Sequence, residues 1–215
     1  MIRAKDEHLT EAYMDERKMY SELVFLTKNK NQWEKNIDYV GSLLTGNSSK
    51  ITAKVLWLLS EMGLQYPEKI EPYVDKIASF LESEDDLLRE RSVNALGRIG
   101  RANFKLIAPY FDFLFKRSTD RCPNVRLSFI WASENIATNT PEVYEEHISV
   151  FAALLDDENN RVRIEAPEFF RVIGKRRPKY VKQYIVKLRY LTEHDDEKVV
   201  RIHAKGAIKA IESSP

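Results

Sequence analysis

The stretch Leu88-Arg-Glu-Arg-Ser-Val-Asn-Ala-Leu-Gly-Arg-Ile-Gly100 decides the fold of this 215-residue chain, because its pattern returns four more times. A step of 37 residues reaches Val125-Arg-Leu-Ser-Phe-Ile-Trp-Ala-Ser-Glu-Asn-Ile-Ala137, and another 37 reaches Val162-Arg-Ile-Glu-Ala-Pro-Glu-Phe-Phe-Arg-Val-Ile-Gly174. A further 38 gives Val200-Arg-Ile-His-Ala-Lys-Gly-Ala-Ile-Lys-Ala-Ile211, and 37 back from Leu88 lies Ile51-Thr-Ala-Lys-Val-Leu-Trp-Leu-Leu-Ser-Glu-Met-Gly63. Self-similarity at a fixed period of this size signals a stacked repeat architecture, in which each unit buries its apolar face against its neighbours.

The intervening segments repeat in the same phase. Pro67, Pro141 and Pro178 share a column in which Phe104 fills the remaining slot, and Tyr73, Tyr110 and Tyr184 share another with His147. Apolar stripes at helical spacing follow, such as Tyr73, Val74, Ile77, Phe80 and Leu81, or Ile148, Phe151, Leu154 and Leu155. Each unit therefore reads as two antiparallel helices, the first opened by a proline whose missing N–H would be unpaired there anyway.

One polar column is more specific. Arg126, Arg163 and Arg201 each follow an aspartate by six residues (Asp120, Asp157, Asp195), while Arg89 follows Asp85 by four. An Asp in the loop before a helix caps it and pairs with an Arg in its first turns, and neighbouring units stack such groups into a ladder. These arginines are read as scaffold, not as ligand-binding residues.

The pattern Asp…Val-Arg-x-x-Ala-Ala-x-Ala-Leu-Gly-x-Ile-Gly resembles the HEAT repeat, of the type also called PBS-lyase HEAT-like, with Leu88–Gly100 the nearest copy. The resemblance covers about residues 48 to 212, with a weaker earlier copy at Trp33, Ile37, Val40, Leu43 and Leu44. It implies an all-α, right-handed solenoid of about five helix pairs, with first helices on the convex side and second helices on the concave side. The chain departs from the pattern at Thr52 (for Arg), Ala137 (for the closing Gly) and Pro167, which removes a hydrogen bond inside a second helix and is expected to bend it. A single solenoid domain over 1–215 is expected, with repeats at 31–63, 68–100, 105–137, 142–174 and 179–212. Residues 1–30, carrying Leu9, Tyr13, Tyr20, Leu23, Val24 and Leu26, would cap the first repeat.

Composition agrees with this reading and narrows the chemistry. A 43% apolar share with ten Phe and ten Tyr is too hydrophobic for disorder, and seven Gly with eight Pro argue against a turn-rich β fold. A single Cys122 leaves no disulfide framework and no cysteine metal cluster. The first residues lack an apolar signal core, so a soluble, cytoplasmic, non-membrane protein is expected. The four histidines are scattered. His194-Asp-Asp-Glu197 sits in a loop whose Asp already has a structural role, and the iron-binding branch of HEAT-like proteins is not supported because no His-Glu dipeptide occurs. No catalytic residue, metal site, cofactor or enzymatic activity is predicted.

Two binding surfaces are predicted. Positions four, seven and eleven of the thirteen-residue motif share one helical face. They give the rows Lys54/Trp57/Glu61, Arg91/Asn94/Arg98, Ser128/Trp131/Asn135 and Glu165/Glu168/Val172. If these line the concave face, Trp57, Arg91, Asn94, Arg98 and Trp131 are the centre of a protein- or peptide-binding groove, with Lys54, Ser128 and Asn135 beside them. The alternative is that the two Trp rings fill gaps in the core, and solvent exposure decides between the two.

The second surface is electrostatic. The overall balance of 34 Lys plus Arg against 33 Asp plus Glu hides an acidic segment, 121–157, with two basic and six acidic residues. It also hides a basic one, 158–215, with fourteen and eight. Arg101, Lys175, Arg176, Arg177, Lys179 and Lys182 form the alternative site, for a nucleic-acid backbone. Some HEAT-like proteins are DNA glycosylases, although no matching catalytic motif is visible. The partner's identity and the oligomeric state are not encoded in these patterns.

Overall fold

The structure is a computed structural model that describes the backbone of residues 2–213 and the side chains of residues 15–213. All regular elements among the described residues are helical. A long helix α1 (Ile2–Lys28) precedes α2 (Trp33–Ser42) and α3 (Ser49–Gln65). Three units follow: α4 (Pro67–Ile70) and α5 (Val74–Ser79) with α6 (Asp86–Ala102), α7 (Phe104–Ile107) and α8 (Phe111–Phe115) with α9 (Pro123–Asn139), and α10 (Ile148–Leu154) with α11 (Asn160–Gly174). The last comprises α12 (Pro178–Val181), α13 (Ile185–His194) and α14 (Lys198–Glu212).

The second helices are continuous because their starts and faces are well specified. Ser48 accepts a hydrogen bond from the Ile51 amide, Asp85 from Leu87 and Asn159 from Arg161, while α9 opens with Pro123. Each of these helices then buries its apolar stripe in one core that runs from Leu23 to Ile211. The first helices are different: in the second, third and last repeats the single helix expected is split. A 3-10 turn at Glu71–Tyr73 separates α4 from α5, and another at Ala108–Tyr110 separates α7 from α8. Pro72 and Pro109 lie inside these turns and offer no N–H to an α-helical bond, so the chain tightens there. Lys182–Tyr184 makes the same turn without a proline.

Successive second helices pack directly on one another from α3 to α14, whereas the split first helices of neighbouring units meet far less. The stack therefore curves with its second helices inside. The approach is tightest at Gly97, where an added Cβ would lie 2.4 Å from the Ala132 Cα. Gly97→Ala should thus lower stability by about 1–3 kcal/mol through overpacking, although alanine is the better helix former by about 1 kcal/mol. Urea denaturation of the variant tests this; an unchanged or raised midpoint would show that the helices separate freely.

The Arg–Asp ladder exists, but its direction differs from the expectation. Arg89 clamps Asp120 of the next unit with two bonds of 2.9 Å, Arg126 clamps Asp157 at 2.7 and 2.8 Å, and Arg163 reaches Asp195 at 3.2 Å. The aspartate of an arginine's own unit contributes its backbone carbonyl instead, as in Arg126 Nη1 to Asp120 O at 2.8 Å and Arg163 Nη1 to Asp157 O at 3.0 Å. Each Asp carboxylate also accepts the amide two residues on, at Cys122, Asn159 and Glu197. Ser83 takes this turn-forming role in the second unit, through the Asp85 amide at 3.2 Å. Asp85 caps α6 and also accepts a side-chain hydrogen bond from Ser49 of the preceding repeat. Because the ladder runs forward, Thr52 in the Arg column faces a unit that carries Ser83 in the Asp column, and this junction has no such ion pair.

On the other edge, Tyr73 donates to Asp38 at 2.8 Å, and Tyr110 donates to Asp75. Lys69 joins Glu34 at 2.9 Å. At the amino-terminal end, α1 buries Leu23 and Leu26 against the first repeat, and the Trp33 indole donates to Leu26 O at 2.8 Å. The predicted capping contacts of Leu9 and Tyr13 lie outside the described side chains. Pro167 is accommodated within α11. One turn earlier, the Ile164 carbonyl accepts from His203 Nδ1 at 2.8 Å, which requires the proton on Nδ1.

Candidate binding surface

The inner face is built by side chains of α3, α6, α9 and α11. At its amino-terminal end, the Lys54 ammonium lies 4.3 Å from the Trp57 ring centre, and Lys50 lies 4.5 Å from that of Tyr20. With Arg91 and Leu87 these residues line a cavity of about 460 Å³. Burial, together with the charge of Arg91, pulls the Lys54 pKa below its ordinary value. Arg91 is 3.4 Å from Glu90 on its own helix, and Arg98 is paired with Glu61 at 3.0 Å.

The middle of the face is knitted together. Asn94 Nδ2 donates to Ser128 Oγ at 2.9 Å and to the Glu90 carbonyl at 3.1 Å. Ser128 is completely buried, so its predicted place on an open groove is corrected: in this unit motif position four turns toward the neighbouring helix. Asn135 donates to Trp131 O at 2.9 Å and receives Arg101 at 3.4 Å. Trp131 itself is 37% exposed, and Trp57 is half-buried, whereas Trp33 is 2% exposed. Neither ring of the predicted groove pair is sealed in the core.

Toward the carboxyl-terminal end the face changes sign. The Trp131 indole donates to Glu165, and Glu134 lies close to Glu165 and Glu168. Burial, followed by the charges of Glu165 and Glu168, pushes the Glu134 pKa up to about 9, against an opposing pull from Arg171. One oxygen of Glu134 is buried without a hydrogen-bond partner. Burial also raises Glu165. Glu168 is held by Arg171 at 2.5 Å, with His203 Nδ1 at 3.7 Å. Glu134 was missed in the sequence, although a signal existed. It stands in the column of Ser60 and Gly97, small residues at the tight helix–helix contact, so a carboxylate there is forced out of water.

The basic run is less coherent than its sequence suggests. Arg176 is tied to Thr138 O at 2.8 Å and Val172 O at 3.1 Å. Its pKa is lowered by burial and then by Arg101, which places these two cations near each other. Arg177 faces Glu142 at 3.9 Å. Lys175, Lys179 and Lys182 are exposed, but they lie at the end of α11 and along the following first helix, off the inner face. In the predicted loop cluster, Asp195 is committed to Arg163, and His194 stacks on Tyr190 at 4.2 Å. Among the described residues no group of three or more His, Cys, Asp or Glu is arranged to hold a metal ion, and no helix is long and apolar enough to cross a membrane.

Comparison with known proteins follows the fold. A family model described as "Sister chromatid cohesion protein PDS5 protein" matches residues 6–209. No curated protein matches. Among solved structures, a designed armadillo repeat protein in complex with the peptide (KR)4 is 20% identical with a TM-score of 0.70, over 92% of this chain and 94% of that one. Computationally designed armadillo repeat proteins for modular peptide recognition give 18% identity and a TM-score of 0.65, over 90% and 93%. At these identities the likeness is one of fold.

Proposed function

The chain belongs to the sister chromatid cohesion protein PDS5 family, whose members are helical-repeat proteins, and from that premise we propose that it is a non-catalytic scaffold whose inner face binds a protein or peptide. The observation that carries this reading is the pair Trp57 and Trp131, accessible at the same motif position two repeats apart, with Arg91, Asn94 and Arg98 between them. Large aromatic rings in a concave surface are the side chains from which binding hot spots are most often made. The armadillo neighbours named for peptide binding share this architecture, which supports an extended segment lying along the second helices.

The basic run supports nucleic-acid binding less well. Its cations are dispersed, with Arg176 anchored to backbone carbonyls. If a duplex were the partner, affinity would fall with a salt slope of about −0.9 per phosphate contacted.

Selection from a displayed peptide library tests the proposal. Peptides enriched on the wild-type protein should lose about 100-fold or more in affinity for the Trp57→Ala/Trp131→Ala variant, since each hot-spot aromatic contributes about 2 kcal/mol or more. Trp33 is buried, so ligand-induced changes in tryptophan fluorescence report the groove. Equal binding to the double variant, with its helical circular dichroism intact, would remove this face from consideration.

A further inference from the structure

The inner face is split electrically, and this bears on what it selects. Around Trp57 stand Lys50, Lys54 and Arg91, lining one half-open cavity with Tyr20. Among the described residues, neither lysine has a carboxylate partner, and Arg91 has only its helical neighbour Glu90 at 3.4 Å. Lys54 and Arg91 face the same cavity, and burial followed by the charge of Arg91 lowers the Lys54 pKa. Such an arrangement is completed by an anion. Around Trp131 stand Glu165, Glu134 and Glu168, with the exposed indole beside them and Arg171 and His203 facing three carboxyl groups. A cation stacked on this ring would meet carboxylates at its edge. Between the two ends, Arg98 is neutralised by Glu61, and Asn94 and Asn135 are uncharged.

The spacing follows from the repeat. Trp57 and Trp131 are two helix-to-helix steps apart, and neighbouring packed helices lie about 8–10 Å from axis to axis. The two ends are therefore about 16–20 Å apart, a distance spanned by five or six residues of extended chain at about 3.3 Å each. Resting on the peptide-binding reading above, we propose that the groove selects an extended segment of mixed charge, with an acidic side chain seated at Lys54, Trp57 and Arg91 and a Lys or Arg side chain seated at Trp131 and Glu165, five or six residues away.

Four synthetic probes test this by fluorescence anisotropy at low salt: a Glu pair and an Arg pair separated by five neutral residues, the same peptide in reverse order, eight glutamates, and (KR)4. One of the two mixed peptides should bind at least about tenfold more tightly than either uniform one. Glu165→Gln should weaken that peptide about tenfold and leave octaglutamate unchanged, and Lys54→Glu/Arg91→Glu should shift preference to (KR)4. If a uniform peptide binds as well as the mixed ones, and Trp57→Ala/Trp131→Ala abolishes its binding, the groove is used but the charge assignment is wrong. If none of the probes binds, or all bind the double Trp variant unchanged, the peptide-binding reading falls with it.

Discussion

Replacing Asp120 with alanine is expected to destabilise the protein by about 3–5 kcal/mol, the usual cost of stranding a buried charge by removing its partner. Asp120 is buried and accepts both bonds of the Arg89 fork, a third from Arg117 at 3.3 Å and a fourth from the Cys122 amide. Its loss leaves the buried Arg89 with Asp86 and the Ser83 and Glu84 carbonyls, and opens the first turn of α9. Burial by itself would raise the Asp120 pKa, but hydrogen bonds from Arg89 and Cys122, with the charges of Arg89 and Arg117, hold it below 3.8. A depressed carboxylate contributes stability that is fully present above the unfolded pKa and lost as pH falls through the folded one. The penalty in the variant should accordingly be constant near neutrality and shrink in acid. Replacing both partners, Arg89→Met with Asp120→Leu, should restore most of the loss, because the pair's net worth is small compared with the cost of breaking it. The exposed Arg189–Glu212 pair provides the contrast: Arg189→Ala should cost less than about 1 kcal/mol. Chemical denaturation of these variants, followed by helical circular dichroism, is the measurement. An Asp120→Ala loss no larger than that of Arg189→Ala would show that the ladder does not hold the stack.

Glu134→Gln should act in the opposite direction and stabilise the protein at pH 7 by about 3 kcal/mol. The folded-state pKa of about 9 lies above the ordinary value of 4.5, so the folded state keeps a proton that the unfolded chain releases. Stability from this group is greatest below pH 4.5 and declines as pH rises, until the folded carboxyl also ionises near 9. At pH 7 the chain is 2.5 units above the unfolded value, and each unit is worth about 1.4 kcal/mol. The amide is isosteric and does not titrate, so wild type and variant should converge near pH 4 and separate toward pH 8. Parallel denaturation curves across that range, with a constant offset, would show that Glu134 is ionised in the folded protein.

The fold was legible because a repeat states its own alignment: five blocks in one phase fix where the helices lie and which face of each is apolar. Partnerships between units were less legible. A column of arginines beside a column of aspartates shows that the two pair, but not that Arg126 chooses Asp157 and leaves Asp120 to Arg89. The Thr52 and Ser83 substitutions held that information, since both positions lose charge at one junction. The split first helices were signalled in part by Pro72 and Pro109, although Lys182–Tyr184 carries no such mark. On the inner face motif position singled out the aromatic pair but left open whether the rings face the groove or the core, and only their exposure separates the two. Ser128 was not legible, because helical periodicity defines a face without saying how closely the next helix covers its edge, and Glu134 was obscured for the same reason.

The junction that lacks a ladder pair lies between the repeats that carry Lys54 and Trp57 on one side and Arg91 on the other, so the cationic cavity spans it. Tyr73–Asp38 and Lys69–Glu34 fasten this junction along its outer edge, Arg98–Glu61 crosses its inner face, and Ser49 hydrogen-bonds Asp85 at the loop edge. Mechanically the junction is pinned on three sides by separate polar contacts in place of one guanidinium fork. The two ends of the inner face are therefore held at gauge by different fasteners, dispersed pins around the cavity and guanidinium forks beyond it.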